Sequence, residues 1–126
     1  MNGSSGAIVL ALAGLLGAAG VALGAAAAHR INDPSLATAA HLAMIHAAAV
    51  VAVVSVSRFA PRPLTWTIAS GLLLCGAALF VADIALRSFT GQRLFPYAAP
   101  LGGSTMIAGW LSVAVAAILG RRGGRA

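Results

Sequence analysis

Apolar residues run through this chain in four long stretches, Ala7 to Ala28, Leu36 to Ser57, Leu64 to Ala82 and Ala98 to Gly120, separated by short connections that carry arginines. Each reaches the ~20 residues that a helix needs to cross the hydrocarbon core of a bilayer. Amide groups in hydrocarbon must be hydrogen-bonded internally, and the polar/apolar alternation of a barrel strand is absent, so the spans are predicted to be helices. The expected fold is all-α: a compact bundle of four transmembrane helices at about 7–28, 36–57, 64–89 and 98–120, in a single domain covering 1–126. Its links carry recognisable breakers: Asn32, Asp33 and Pro34 in the first, Pro61 and Pro63 in the second, Gly91 and Pro96 in the third. The first stretch is read as a retained span rather than a cleaved signal. Met1 to Gly6 holds no positive side chain, and the apolar run exceeds the ~7–15 residues of a signal's core.

Composition points to the same solvent. Hydrophobic residues make up 60% of the 126 and charged residues 8%, against roughly 25% charged in a soluble domain. The net charge of +6 does not indicate nucleic acid, because the arginines stand singly or in pairs between apolar runs and form no basic helix face. They read instead as contacts to lipid headgroups and as topology determinants. Arg58, Arg62, Arg121, Arg122 and Arg125 share a side with the N-terminus, while Arg30, Arg87 and Arg93 lie opposite. This excess predicts both termini in the cytoplasm. The lone Cys75 excludes an intramolecular disulfide and a CxxC pair, and with no cationic activator beside it in sequence it reads as packing.

Lipid tails are as apolar as leucine, so close packing rather than the hydrophobic effect must hold such helices together. Gly14, Gly17, Gly20 and Gly24 punctuate the first span, Gly71 and Gly76 the third, and Gly102, Gly103 and Gly109 the fourth. The Gly20-x-x-x-Gly24 spacing reads as general tight packing, with a dedicated dimer motif as the other reading.

Few polar side chains fall at membrane depth. At a rise of ~1.5 Å per residue, His46 lies near the bilayer midplane and Trp110 at a similar level. His41, Asp83, Ser104 and Thr105 all fall in one outer half, which predicts a polar layer between helices. Arg87, four residues after Asp83 on the same helix face, is the competing partner. Such a layer serves either as interhelical hydrogen bonding that sets register, the favoured reading, or as a proton or ion relay. The three histidines do not form a metal set. His41 and His46 are about 140° apart around a helix, and His29 lies at the membrane boundary. His46 reads as a packed histidine satisfied by a neighbour, with a single axial haem ligand as the lesser alternative. No Gly-x-Ser-x-Gly elbow, Walker pattern, Glu or Lys occurs, and the only carboxylates are Asp33 and Asp83. No catalytic residue, cofactor or metal is therefore expected, and the chain is read as non-enzymatic.

Several short pieces, in this order, resemble one family. They are Leu23-Gly24-Ala25-Ala26-Ala27-Ala28-His29, His46-Ala47, Leu79-Phe80 leading to Thr90-Gly91, Ala99-Pro100-Leu101-Gly102-Gly103 and Gly109-Trp110. The chain resembles, from about Gly14 to Leu119, the YgdD-like family of uncharacterised small bacterial inner-membrane proteins, which has a small mitochondrial transmembrane relative. The resemblance implies a four-span inner-membrane protein without an established activity, and His29, His46, Pro100, Gly102, Gly103, Gly109 and Trp110 are the matching positions. The chain departs from the family pattern at Asp83, Ala85 and Arg87, where a small hydroxyl, an aromatic and an aliphatic residue are usual. A relay through Asp83 would then be peculiar to this chain.

Two function classes follow. Small size, little mass outside the membrane, glycine-lined surfaces and the lack of a reaction centre favour a non-catalytic accessory or assembly subunit. Its expected partners are membrane lipids and either the subunits of a larger inner-membrane complex or further copies of itself. The alternative is a small channel or carrier for protons, ions or a small solute, acting as a homo-oligomer.

Overall fold

A computed structural model describes residues 3–60 and 62–123. Its helices are α1 (Gly3–Ala26), α2 (Pro34–Ser57), α3 (Pro63–Thr90) and α4 (Ala98–Gly123), and a π-helical turn, Ala27–Ile31, prolongs α1. They contain four segments of 27, 24, 28 and 23 residues, each long and apolar enough to cross a membrane. This is the architecture of a multi-pass membrane protein.

Local chemistry sets the helix ends. Asp33 caps α2, accepting the Ser35 N–H at 2.8 Å, and Pro34 opens the helix where its missing N–H is harmless. Asn32 takes the left-handed conformation that closes the π-turn, donating its N–H to the Ala27 carbonyl at 3.1 Å. Asn is among the few residues that tolerate this geometry. Gly91 ends α3 in the same region, at φ 73°, and donates its N–H to Arg87 O at 2.9 Å. Tyr97 is less ordinary, because a bulky side chain at φ 68° is strained. Its carbonyl accepts Leu101 N–H at 2.9 Å, and the next two residues, Ala98 and Ala99, are buried. The 28 residues of α3 extend ~42 Å, more than the ~30 Å core, so its terminal turns reach the headgroup zone. Of the arginines that predict topology, Arg125 and the side chains of Arg121 and Arg122 lie outside the described residues.

The helices pack in chain order, α1 on α2, α2 on α3 and α3 on α4; α1 only brushes α3, and α1 and α4 share no comparable interface. The core therefore sits on the two inner helices, where Leu36, Val50, Val54 and Leu73 are fully buried. The outer helices expose Leu12, Leu15 and Val21 on one flank and Ile107, Leu111 and Ile118 on the other.

Glycine makes the α3–α4 contact a meeting of backbones. A Cβ added to Gly102 would lie 2.6 Å from Phe80 N and 2.8 Å from Gly76 O; one added to Gly76 would lie 2.7 Å from Met106 N. Further along, a Cβ on Gly109 would meet the Leu73 side chain at 2.9 Å. Between α1 and α2, a Cβ added to Gly20 would lie 2.9 Å from Ala40 O, and one added to Gly17 or Gly24 would lie 3.4 or 3.7 Å from the methyl of Ala47 or Ala40. The packing stripe expected on the first span needs correction at Gly14, where an added Cβ would meet nothing within 4 Å, as at Gly103 on α4. The α2-facing side of α1 instead runs through the buried Ala13, Leu16 and Gly20.

Candidate functional site

Most hydroxyl groups on these helices bond to their own backbone. Thr38, Ser55, Thr67, Ser104, Thr105 and Ser112 each donate to the carbonyl four residues earlier, at 2.8–3.0 Å. The buried Ser57 and Ser70 bond three residues back, to Val54 O and Thr67 O. A helical hydroxyl always has such a carbonyl within reach, whereas a partner on another helix requires the right rotation. The polar layer expected of His41, Asp83, Ser104 and Thr105 is accordingly not formed. Ser104 is exposed and spent on Pro100 O. His41 is also exposed, lining a cleft of 470 Å³ beside Asn32 and Asp33 where α1 gives way to α2.

Among the described residues two polar constellations do cross between elements. The first is His46 with Trp110, which joins α2 to α4 although those helices share little other contact. Trp110 Nε1 donates to His46 Nε2 at 3.2 Å, and the rings meet edge-on with centroids 6.0 Å apart. Because indole can only donate, Nε2 must carry the lone pair, which places the imidazole proton on Nδ1. Nδ1 in turn donates to Leu42 O at 2.8 Å. With His46 buried and both nitrogens engaged, an axial haem bond would require breaking one of these contacts. Trp110→Phe keeps an aromatic ring and removes the donor. It should lower stability by about 0.6 kcal/mol, the average for interhelical hydrogen bonds in a membrane protein, and shift the Nε2 resonance of His46. An unchanged nitrogen spectrum would show that the two rings do not bond.

The second constellation lies where the first and third links meet. Asp83, only 2% exposed, accepts the Leu94 N–H through Oδ1 at 2.8 Å and faces Arg87 through Oδ2 at 3.5 Å. Its carboxylate thus ties the third link back onto α3. Nearby, Ser88 Oγ on α3 donates to Asp33 Oδ2, fastening the first link to the same helix end. The Asp33 carboxyl is held below its ordinary 3.8 first by the Ser88 hydroxyl and then by the Ser35 N–H. Since the folded pKa is depressed, the stability it contributes is fully present above pH 3.8 and is lost as pH falls through the lower folded value. Ser88→Ala removes the largest cause, so the carboxyl titration of Asp33 followed by carbon NMR should move upward. A titration at the parent pH would exclude the contact.

Sequence order alone does not reveal the Leu94 and Ser88 contacts. A backbone N–H leaves no trace in composition, and Ser88 looks like any other helical serine. Among the described residues no group of three His, Cys, Asp or Glu side chains stands close enough to hold a metal.

A family model described as a protein of unknown function, DUF423, matches residues 23–103, more than half of the chain. The chain belongs to the DUF423 family. No curated protein and no solved structure matches it. The DUF423 segment holds the π-turn with His29, all of α2 with His41 and His46, all of α3 with Asp83 and Arg87, and the start of α4 with Pro100, Gly102 and Gly103. Gly109 and Trp110 lie beyond it. Within the DUF423 match, then, fall both ends of the Asp83–Leu94 and Asp33–Ser88 contacts and both glycines of the closest backbone approach, but one partner only of the His46–Trp110 bond.

Proposed function

We propose that this DUF423 chain is a non-catalytic accessory or assembly subunit that packs against a larger complex in the bacterial inner membrane, with both termini in the cytoplasm. One observation carries the reading. Every buried polar side-chain atom among the described residues already has a hydrogen-bond partner. The buried ionisable side chains His46 and Asp83 bond to Leu42, Trp110, Leu94 and Arg87. Such contacts hold helices and links in place. The outer helices meanwhile leave long apolar flanks to lipids, to other membrane subunits or to further copies of the chain. Blue-native electrophoresis after mild solubilisation tests this: migration with a large complex is expected. A small homo-oligomer that conducts ions in liposomes would overturn it in favour of a channel or carrier. A periplasm-dependent reporter active at the C-terminus would overturn the orientation.

A further inference from the structure

At the C-terminal ends of α1 and α3, a groove of 460 Å³ is lined by Ala22, Ala25, Ala26, His29, Arg30 and Phe89. Its α1 wall follows the i, i+3, i+4, i+7 spacing from Ala22 to His29, so one face of the helix contributes three methyl groups and then an imidazole. The π-turn that follows carries both His29 and Arg30, and both line the groove. Phe89 of α3 stands across from them. Along the membrane normal the groove is therefore apolar below and cationic at its rim. Arg30 is also the last residue of the first membrane span, Ser4–Arg30, which is headgroup depth.

Among the described residues the charge at that rim has no internal counterpart. Among the described residues the one ion pair is Arg87 with Asp83, and Asp33 is engaged by Ser35 and Ser88. No carboxylate lines the groove. We infer that the groove is a binding site for one phospholipid of net negative charge, an acyl chain lying on the alanine wall beside Phe89 and the headgroup phosphate held by Arg30 and His29, with no carboxylate in the lining to receive the cation of a zwitterionic headgroup. A guanidinium matches phosphate oxygens with two parallel hydrogen bonds. Methyl-lined space in a bilayer gains dispersion contact when a lipid tail fills it. A phospholipid brings both the chain and the phosphate at the right depth; another membrane helix brings the first and has no need to carry the second. This site is additional to the accessory role proposed above and does not depend on it.

Native mass spectrometry of the full chain, released from detergent with equal amounts of phosphatidylglycerol and phosphatidylcholine of matched tails, tests the inference. Phosphatidylglycerol adducts should dominate. Arg30→Gln should cut them about tenfold, the usual scale of a charge-assisted hydrogen bond, while Arg93→Gln, outside the groove, should leave them unchanged. Ala25→Leu fills an exposed position on the wall without a clash in the core, and should reduce retention of both lipids with no change in melting temperature. Equal retention of the two lipids by the parent, equal effects of Arg30→Gln and Arg93→Gln, or displacement of the adduct by millimolar inorganic phosphate would each overturn it. So would a dimer that Ala25→Leu dissociates without loss of lipid, because the groove would then hold a second copy.

Discussion

Gly102→Leu is expected to break the α3–α4 half of the molecule, and Gly102→Ala to lower its stability by about 1–3 kcal/mol, the usual penalty for overpacking a tight contact. The new Cβ would face backbone atoms, Phe80 N at 2.6 Å and Gly76 O at 2.8 Å, and these cannot rotate aside as the tip of a side chain does. The helices must separate instead. Separation loses the dispersion contacts that hold helices together in lipid, where no hydrophobic effect compensates. Gly103→Ala is the control: it is the next residue on the same helix, with nothing within 4 Å of its added Cβ. Thermal unfolding in detergent should place Gly103→Ala with the parent and Gly102→Ala well below it. Coincident midpoints for all three would mean that α3 and α4 do not meet at Gly102.

Asp83→Leu should destabilise the third link far more than Asp83→Asn, and the difference separates the two bonds that this carboxylate makes. Its pairing with Arg87 is long, at 3.5 Å, and the arginine is 40% exposed. Such a pair contributes about 0–1 kcal/mol. The Leu94 N–H is a different matter, since a partly buried donor left without a partner costs about 1–3 kcal/mol. Asparagine still presents Oδ1 to that donor; leucine does not. Hydrogen exchange should therefore report loss of protection at the Leu94 amide in Asp83→Leu and near-parent protection in Asp83→Asn. Equal loss in both variants would make the ion pair with Arg87, rather than the anchoring of the link, the main task of Asp83.

How much of this was legible beforehand depends on the direction along which a property is measured. Counting residues at a fixed rise per residue gives depth, so His46 and Trp110 could be placed at one level from sequence alone. Their facing one another depends on the rotation of α2 and α4 about their axes, which counting does not give. The same distinction explains the missing polar layer. His41, Ser104 and Thr105 have suitable depths, but Ser104 and Thr105 turn to their own backbone, and His41 points into the cleft beside Asn32 and Asp33. It also explains why Gly20 packs against Ala40 while a Cβ added to Gly14, on the same helix, would meet nothing within 4 Å.

Span length, backbone hydrogen bonding and the proline, asparagine and glycine breakers are properties of the chain read in one dimension. From them alone followed the apolar surroundings, the helical conformation and the number of membrane-spanning elements. Tertiary structure decided which glycines touch, which helices are inner ones, and that a carboxylate on α3 anchors a loop. In water, an apolar stripe would have marked the inward side of each helix; here every face is apolar, so only the fit of one backbone against another selects it.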